Sequence, residues 1–488
     1  MKLKQLIEHL HIPNQPELPD IEITSIEQND QLVQEGSLFI CIKGHRFDGH
    51  DFAHEVVQKG AKAILAERPL DVQVPVIVVK DTKRAMAVIA DAFYQHPSSK
   101  LQLVGITGTN GKTSTSHYVE SIMKHCGKNT GLIGTMYRKV GETILPTKNT
   151  TPDSLSLQQT FYTMKNEDVE VCAMEVSSHA LKEGRVYGVD FDIAVFTNLT
   201  QDHLDYHGTM EEYRFTKGLL FAQLGNKYDV KRPKYALLNS DEAATKYYKT
   251  VTPAFIYTYG IENEADFMAI DVKTNNKGTQ FRLATPFGEK QVQIPLVGLF
   301  SVYNVLAAAS SCLLAGASFE KVCEAIERLT GVPGRFELVS GPQDFTIVVD
   351  YAHTPDSLEN VLETIQQFKK GEVWVVVGCG GDRDRTKRPI MAKIACELSD
   401  HAIFTSDNPR SENPAAIIDD MVEGVKDFTN YEVMVDREEA INHAVRSARR
   451  DDVILIAGKG HETYQIIGDV VNDFDDRMVA RKAVDTIY

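Results

Sequence analysis

The chain has 488 residues, which at roughly 150 residues per domain indicates about three domains, each large enough to bury its own core. It contains 52 Lys and Arg against 68 Asp and Glu, and the net charge of -16 excludes a general basic surface that would attract nucleic acid or an anionic membrane. With 43% hydrophobic and 25% charged residues, the composition is typical of a soluble globular protein rather than a fibrous or disordered one.

No run approaches the roughly 18 to 20 consecutive apolar residues of a membrane span, and the first residues lack the apolar core of a signal peptide. We therefore expect a cytoplasmic protein that does not insert into a membrane. The 7 cysteines are scattered and include no C-x-x-C pair, which argues against both a disulfide framework and a cysteine zinc site.

The segment 1–98 is predicted to be a small α/β domain. It carries short apolar runs at 37–42 and 61–66, joined by turns such as the one at 47–49. The breaker cluster at 96–99 marks its end.

A second domain is predicted over 99–333, with a mostly parallel sheet and crossover helices. Its candidate buried strands, each a short apolar run, are 101–106, 171–176, 192–198 and 235–239. A helical pattern follows the first of them from Lys112 to about His125. Alternation over 267–297, around a turn at 275–278, indicates an antiparallel excursion at the sheet edge.

The segment 332–335 marks the second boundary, and 334–488 is predicted to be another doubly wound α/β domain. A loop and a helical pattern follow each of its β-rich runs. These runs are 345–350, 373–377, 402–405 and 453–457.

A glycine-rich segment, Gly105–Thr113, lies between a predicted strand and a predicted helix. Glycines let backbone N–H groups close around phosphate oxygens, Lys112 can bridge the terminal phosphates, and the Thr113 hydroxyl can ligate Mg²⁺. The strict G-x-x-x-x-G-K-[ST] pattern is not met, because its first glycine would fall at Ile106. The alternative is a glycine-rich turn with a surface lysine, but the strand and helix on either side favour nucleotide binding.

Charged residues follow two further predicted strands, with Glu175 after one and His203 and His207 after the next. Because the carboxyl ends of parallel strands meet at one edge of a sheet, Glu175 and His203 can reach a cation beside the phosphates. A zinc site using His203 and His207 lacks a third ligand at a recognisable spacing. A single histidine is more often a hydrogen-bonded loop residue, but these positions after successive strands favour a metal site.

Several segments together resemble the Mur ligases, and they keep their order over nearly the whole chain. These segments are 108–113 (GTNGKT), 175–179 (EVSSH), 198–205 (NLTQDHLD), 303–304 (YN), 334–337 (GRFE), 350–356 (DYAHTPD) and 460–462 (GHE). The resemblance implies an N-terminal domain that holds a UDP-sugar, a central P-loop ATPase-like domain and a C-terminal Rossmann-like domain that brings the amino acid.

The resemblance also implies site residues, with Lys112, His203 and Lys217 as catalytic groups. ATP would be bound by Gly108, Thr109, Asn110, Gly111, Lys112, Thr113, Ser114, Asn304, Arg335 and Asp350. Mg²⁺ would be held by Thr113, Glu175, His203 and Lys217. Lys217 would act as a carbamate, whose oxygens suit a hard cation better than a neutral amine does. Without the resemblance, Lys217 would be interpreted as a solvated helix lysine.

The implied reaction is an ATP-dependent amide ligation that releases ADP. The terminal carboxylate of UDP-N-acetylmuramoyl-L-alanyl-D-glutamate attacks the γ-phosphate, and an incoming amine then displaces the acyl phosphate. The sugar-peptide substrate would contact Asp30, Thr150, Thr151, Ser177, Glu183 and Arg185. We expect a monomer that acts in peptidoglycan synthesis, and hence in cell-wall growth, cell shape and division.

The segment Asp407, Asn408, Pro409 and Arg410 is the sharpest signal for the amino acid. In the Mur ligases an arginine at its last position accompanies meso-2,6-diaminopimelate, whereas lysine-adding members usually lack it. Diaminopimelate differs from lysine by a second carboxylate, which a guanidinium binds with two hydrogen bonds. The family's other contacts with the amino acid match Arg383, Gly458 and Glu462.

Two positions depart from the family pattern. Asn29-Asp30-Gln31 stands where the family usually has Asp-Ser-Arg, whose serine contacts the UDP-sugar. A carboxylate near a diphosphate is unfavourable unless it turns away or meets a donor. Met478, where an acidic residue is frequent, is a smaller departure.

Two other functions stay open from the sequence. A related amide ligase, such as a folylpolyglutamate synthase or a lysine-adding homologue, is disfavoured by Arg410, by Thr150-Thr151 and by the length of the chain. A nucleotide-binding regulator that lost catalysis is disfavoured by the joint presence of Lys112, Thr113, Glu175, His203 and Lys217.

Overall fold

The computed structural model describes residues 1–13, 17–44, 47–226, 228–275 and 278–487. Separate sheets form in the N-terminal, central and C-terminal parts of the chain, and helices cover them. This architecture confirms the predicted α/β fold class. The domain boundaries after residues 98 and 333 stay predictions, as does the monomeric state. Within the described residues, no helix is both long and apolar enough to cross a bilayer.

The N-terminal sheet is parallel, with strand order β1-β2-β3-β4. Its elements are α1 (Leu3–Glu8), β1 (Ser25–Glu27), β2 (Ser37–Ile40), α2 (Ala53–Gln58), β3 (Ala63–Ala66), β4 (Val76–Val78) and α3 (Thr82–Phe93). Leu38 and Ile40 pack into one apolar cluster, and Phe39 and Cys41 pack into another. Successive side chains of a strand point to opposite faces, so both faces of β2 are covered.

The central sheet has strand order β15-β14-β13-β12-β11-β10-β5-β9-β6-β7-β8. Its elements are β5 (Gln102–Thr107), α4 (Lys112–His125), β6 (Thr130–Ile133), β7 (Arg138–Val140), β8 (Thr143–Leu145), α5 (Ser154–Asn166), β9 (Val171–Glu175), α6 (Ser178–Lys182), β10 (Ile193–Phe196), α7 (Leu204–His207), α8 (Met210–Ala222), β11 (Tyr235–Asn239), α9 (Thr245–Val251), β12 (Phe255–Gly260), β13 (Phe267–Asn275), β14 (Gly278–Thr285), β15 (Gly288–Ile294), α10 (Leu299–Leu314) and α11 (Phe319–Ile326).

The strands from β13 through the middle of this sheet to β6 pair in parallel, as the sequence predicts. The predicted antiparallel excursion is confirmed, because β13, β14 and β15 pair antiparallel at one edge. Asn275 pairs with Gly278, while Asn276 and Lys277 of the predicted turn lie outside the described residues. The sequence analysis missed a second antiparallel edge, formed by β6, β7 and β8.

The middle of the central sheet is buried on both faces. Val104 and Ile106 of β5 face a cluster that includes residues of α4 and α10, whereas Leu103 faces a cluster that includes α5. A strand that is covered on both sides has a continuous apolar sequence, and this is why the strand could be predicted from the sequence. The loop that follows β5 therefore starts from a rigid base.

The C-terminal sheet has strand order β16-β17-β21-β18-β19-β20. It is parallel except for the antiparallel pair of β16 and β17. The elements of this part of the chain are β16 (Glu337–Leu338), β17 (Thr346–Asp350), α12 (Pro355–Phe368), β18 (Val373–Val377), α13 (Lys387–Leu398), β19 (His401–Phe404), α14 (Pro414–Val422), β20 (Tyr431–Val433), α15 (Arg437–Ser447), β21 (Val453–Ala457), β22 (Tyr464–Ile467), β23 (Val470–Asp473) and α16 (Asp476–Ile487). β22 and β23 form a separate antiparallel pair.

A buried ion pair joins two helices on one face of the C-terminal sheet. Arg437 of α15 donates to both carboxylate oxygens of Asp476 at 2.8 and 2.7 Å, and neither side chain is exposed to solvent. Arg437 also donates to the carbonyl oxygen of Ala457 at 2.9 Å. Breaking such a pair leaves a buried charge without a counterion, which costs far more than an exposed pair contributes.

We expect Asp476→Ala to lower the stability of the C-terminal part by about 3 to 5 kcal/mol, because it strands the Arg437 guanidinium. The sequence has a single tryptophan, Trp374 on β18, so its fluorescence during urea unfolding reports on this part of the chain. Asp485→Ala is the control, because Asp485 forms an exposed pair with Arg481 on the same helix. Equal unfolding midpoints for the two variants would contradict the argument.

Candidate active site

A cavity of about 300 Å³ lies between the central and C-terminal sheets. The central part contributes the loop after β5, the end of β9 and the loop after β10. The C-terminal part contributes the loops after β17, β18, β19 and β21. Each of these segments leaves a parallel strand at its carboxyl end, where ligand sites of open α/β sheets gather. The two sheets therefore place their loops on opposite sides of one space.

The loop after β5 needs its glycines. Gly111 has φ of +84°, and a Cβ there would lie 2.3 Å from Oδ1 of Asn304. Lys112 follows as the first residue of α4, and its Nζ donates to the carbonyl oxygens of Gly108 and Thr109 at 2.8 and 2.7 Å. Burial lowers the pKa of Lys112, against the charges of Glu175 and Asp202. The lysine is thus held over the loop by backbone carbonyls.

Glu175 at the end of β9 is fully buried and is surrounded by hydroxyl groups. Its Oε2 accepts from the hydroxyls of Thr113 and Thr135 at 3.0 and 3.1 Å, and its Oε1 accepts from the backbone N–H of Thr135 at 2.8 Å. Arg335 of the C-terminal part donates to the same Thr113 hydroxyl at 3.1 Å. A carboxylate and a hydroxyl thus adjoin beside the loop after β5, residues 108–113, which is called the phosphate loop below. This end of the cavity is called its phosphate end.

Lys217 of α8 is buried, with 1% of its surface exposed, so it is not a solvated helix lysine. Its Nζ donates to the carbonyl oxygen of Gly108 at 2.7 Å and lies 4.3 Å from the ring centre of Tyr213. Burial, together with the charge of Lys112, puts the pKa of Lys217 well below its usual range. This shift favours the neutral amine over the ammonium form.

His203 lies in the left-handed region with φ of +55°, and its Nε2 is 3.2 Å from the carboxylate of Asp202. Burial lowers the pKa of His203 to about 3, so the imidazole is neutral. His207 instead shares a hydrogen bond of 2.9 Å between its Nε2 and the hydroxyl of Ser178. The structure therefore gives the two histidines different surroundings, and His203 is the one that lines the cavity.

The residues predicted to bind a metal fit Mg²⁺ together with a nucleotide. Thr113, Glu175, His203 and Lys217 all line the cavity. No group of three or more His, Cys, Asp and Glu in the described part of the chain could hold a metal ion. The oxygens of Thr113 and Glu175 suit Mg²⁺, which usually completes its shell with phosphate and water. This donor set is too small for a metal centre made of protein ligands alone.

A second cavity of about 310 Å³ adjoins the phosphate loop. Asn110, Gly111, Ser114, Asn304, Arg335 and Asp350 line it, as expected for residues that share one ligand. The guanidinium of Arg335 lies 4.4 Å from the ring centre of Tyr351, and its buried Nε has no hydrogen-bond partner in the described residues. Burial raises the pKa of Asp350 to about 6. The unpartnered Nε leaves Arg335 able to donate to a ligand.

The sequence analysis missed several acidic residues of the second cavity. Asp356, within a quoted motif but given no role, accepts from the side-chain amide of Asn110 at 2.6 Å and so links α12 to the phosphate loop. Glu242 also lines the cavity, and burial raises its pKa to about 7. Asp356 could have been found from the motif. Glu242 lies in an ordinary turn, and no sequence signal distinguishes it.

Most residues predicted to contact the sugar-peptide form one hydrogen-bond network next to the backbone of Glu175. The Thr151 hydroxyl donates to the carbonyl oxygen of Glu175 at 2.9 Å and accepts from the Ser177 N–H at 3.0 Å. Arg185 donates to the carbonyl oxygen of Thr151 at 2.9 Å and to the carboxylate of Glu183 at 3.0 Å. Thr150 and Ser177 line the first cavity.

Asp30 lies apart from this network, beside the N-terminal sheet, and lines neither of the two cavities. Its carboxylate accepts from Nζ of Lys59 at 3.3 Å. The carboxylate at position 30 therefore meets a donor, which is the condition under which it is tolerated near a diphosphate.

On the C-terminal side, the predicted amino-acid contacts lie together. Arg383, Asp407, Asn408, Arg410, Gly458 and Glu462 line the first cavity. Pro409 does not line it, but the residue lies in the same loop. Arg410 donates through Nη1 to the carbonyl oxygen of Gly381 at 2.8 Å. Burial and the charge of Arg410 lower the pKa of Arg383. Two guanidinium groups thus act on each other at one end of the cavity, which suits an anionic ligand.

Lys459, which the sequence analysis missed, holds two of these contacts in place. It is fully buried, and its Nζ donates to Oδ1 of Asn408 at 3.3 Å and to Oε2 of Glu462 at 3.2 Å. Nδ2 of Asn408 donates to the same Glu462 oxygen at 2.8 Å. A lysine two residues after a strand carries no signal of such a role by itself.

Comparisons with known proteins agree with this geometry. Three family descriptions match in order: "Mur ligase family, catalytic domain" at residues 22–94, "Mur ligase middle domain" at 106–312 and "Mur ligase, glutamate ligase domain" at 334–460. A Bacillus cereus protein named UDP-N-acetylmuramoyl-L-alanyl-D-glutamate--2,6-diaminopimelate ligase is 58% identical over 486 residues, which cover 99% of this chain and 98% of that protein.

Two solved structures show the same fold over almost the whole chain. A structure of UDP-N-acetylmuramoyl-L-alanyl-D-glutamate--2,6-diaminopimelate ligase has a TM-score of 0.69 and 32% identity, and covers 99% of both chains. The MurF ligase from Thermotoga maritima in complex with ADP has a TM-score of 0.65 and 19% identity, and covers 95% of this chain and 96% of that one. At 19% identity the second likeness shows the fold alone.

We expect Gly111→Ala to weaken ADP binding at least about tenfold, because the added Cβ meets Asn304 and the residue must keep a positive φ. Isothermal titration calorimetry with ADP measures the change. Gly127→Ala is the matched control, since Gly127 also has a positive φ, of +88°, but has no atom within 4 Å of the added Cβ. Equal ADP affinity in both variants would show that the loop tolerates the side chain.

Proposed function

The chain belongs to the Mur ligase family, and from this premise we propose that it is the ADP-forming ligase that joins meso-2,6-diaminopimelate to UDP-N-acetylmuramoyl-L-alanyl-D-glutamate. This reaction extends a peptidoglycan precursor. The observation that carries the proposal is that the phosphate loop at Lys112 and the guanidinium groups of Arg383 and Arg410 line one cavity. The full-length relative from Bacillus cereus, 58% identical and named for this reaction, supports it.

The chemistry explains why ATP is needed. A carboxylate is a poor electrophile and hydroxide a poor leaving group, so the acid must first be phosphorylated. Lys112, at the start of α4, would contact the terminal phosphates, while Arg335 and Asp350 would hold the nucleotide. Thr113, Glu175, His203 and carbamylated Lys217 would hold Mg²⁺, which supplies positive charge to the phosphoryl oxygens when bound.

The incoming amino acid would occupy the C-terminal side of the cavity. Arg383 and Arg410 offer guanidinium groups for the two carboxylates of a diaminodicarboxylic acid. Asp407 and Glu462 offer acceptors for its ammonium groups. Lysine has a single carboxylate and would leave one guanidinium without a partner, which costs on the order of 1 to 3 kcal/mol.

The deciding experiment measures ADP release by the purified protein. It is supplied with ATP, magnesium, the UDP-muramyl dipeptide and one amino acid at a time. We expect release with meso-2,6-diaminopimelate, a rate at least about tenfold lower with L-lysine, and a product lengthened by one residue. Nucleotide binding without turnover would instead identify a regulator, and a preference for lysine would identify a lysine-adding ligase.

We expect Arg410→Ala to lower kcat/KM for diaminopimelate about tenfold to a hundredfold, while ADP affinity stays unchanged. Steady-state kinetics with both amino acids, together with ADP titration, measures both effects. Arg385→Ala is the control, because Arg385 lies near the same loop but is exposed and pairs with Asp420. An unchanged selectivity between diaminopimelate and lysine would remove Arg410 from the amino-acid site.

We expect Lys217 to react with carbon dioxide, because burial and the charge of Lys112 lower the pKa of its amine and so favour the neutral form that reacts. In labelled bicarbonate, carbon NMR of the wild-type protein should show a carbamate signal that is absent from Lys217→Met. Lys182→Met, which changes a more exposed lysine of α6, should keep the signal. A wild-type spectrum without a carbamate would contradict this assignment.

A further inference from the structure

Lys387 is a buried lysine that reaches the first cavity from the C-terminal side. It is the first residue of α13, and 5% of its surface is exposed. No acceptor in the described parts of the chain lies within hydrogen-bond distance of its Nζ. The carboxylate of Asp202 forms an ion pair with it, but Oδ1 is 3.8 Å from Nζ. The ammonium group thus faces the cavity without a direct hydrogen bond to the described residues.

Two other buried lysines of this region are satisfied by the protein. Lys217 donates to the carbonyl oxygen of Gly108 at 2.7 Å, and Lys459 donates to Asn408 and Glu462. The ammonium group of a lysine whose side chain is this far buried usually has a hydrogen-bond partner. Because Lys387 lines the cavity, a ligand in the cavity can supply that partner.

The position of Asp202 shows which end of the cavity Lys387 reaches. Asp202 belongs to the loop after β10, next to His203, and its charge acts on the pKa of Lys112 on the phosphate loop. The side-chain amide of Gln201 donates to the hydroxyl of Thr386 at 3.2 Å, which holds the start of α13 against this loop. Lys387 therefore lies at the phosphate end, across from the loop that carries Lys112.

We propose that Lys387 is a catalytic residue whose ammonium group binds oxygens of the phosphoryl group as it moves from ATP to the muramyl-peptide carboxylate. The inference rests on the proposed ligase function. A carboxylate oxygen forms a bond to the γ-phosphorus, and the bond to the bridging oxygen breaks, so that ADP leaves with the electron pair. Lys387 keeps its proton throughout. A fixed positive charge beside the transferred group stabilises the charge that builds up on the phosphoryl oxygens.

The proposed binding of the phosphoryl group would need residues from both sides of the cavity. Lys112 comes from the central part and Lys387 from the C-terminal part, so the transferred group is held from two sides only when α13 lies against the loop after β10. The competing explanation for the position of Lys387 is that it only neutralises the charge of Asp202. A lysine that served only this purpose would affect folding rather than the transfer step.

The test compares Lys387→Met with Lys393→Met. Lys393 lies on the same helix but is exposed and pairs with Glu397. We expect Lys387→Met to lower kcat about a hundredfold or more, with KM for ATP and for the amino acid within about threefold of wild type. Lys393→Met should match wild type.

Positional isotope exchange isolates the transfer step. ATP with heavy oxygen in its β,γ-bridge is mixed with enzyme and UDP-muramyl dipeptide, without the amino acid, and scrambling of the label reports reversible transfer. We expect the exchange rate to fall with kcat in Lys387→Met. Wild-type exchange with slow overall turnover would place Lys387 in the later amide-forming step and overturn the proposal, as would an effect confined to KM.

Tryptophan fluorescence and ADP affinity show whether the variant is folded. If Lys387→Met does not fold, Lys387→Gln, which keeps a polar side chain and removes the charge, decides the question: a hundredfold loss of kcat supports the proposal, and a rate near wild type overturns it. A wild-type protein that forms no lengthened peptide would refute the proposed function. An active wild type with an equally active Lys387→Met would refute only the role of Lys387.

Discussion

Positive charge that donates no hydrogen bond to a protein carboxylate is concentrated in one cavity, and this constraint organises the site. Lys112, Arg335, Arg383, Lys387 and Arg410 all line the space between the central and C-terminal sheets. In the described residues, none of them donates a hydrogen bond to a carboxylate of the protein. Their protein partners are backbone carbonyls and one threonine hydroxyl. The substrates of the proposed reaction are phosphates and carboxylates, which are the partners these groups lack.

Elsewhere the protein pairs its buried cations. Arg437 meets Asp476 with two hydrogen bonds, and the fully buried Arg388 of α13 meets Glu412 and Asp420. Arg388 follows Lys387 directly in the sequence, so adjacent residues of one helix are treated in opposite ways. The two side chains point in different directions. Arg388 contacts acidic side chains of the C-terminal part, whereas Lys387 faces the cavity. A buried cation that has no hydrogen-bonded carboxylate is therefore a signal of a functional site in this protein.

Contacts between the central and C-terminal parts bring the two halves of the site together. Asn110 of the phosphate loop donates to Asp356 at the start of α12, and Arg335 donates to Thr113 at the start of α4. These contacts join residues that lie far apart in the sequence. Asn110, Arg335 and Asp356 also line the second cavity. The same side chains therefore both line this cavity and hold the C-terminal part against the central part.

The sequence by itself determined the strand, loop and helix around Lys112, the parallel order of the sheets and the segments that carry site residues, because these depend on local periodicity and on glycines with a required φ. It could not reveal the antiparallel edge of β6, β7 and β8, whose strands are short and partly polar. It also gave no sign of Glu242, Lys387 or Lys459. Their roles depend on which distant groups surround a side chain, and only the tertiary structure decides whether a lysine is solvated, satisfied by the protein or left for a ligand.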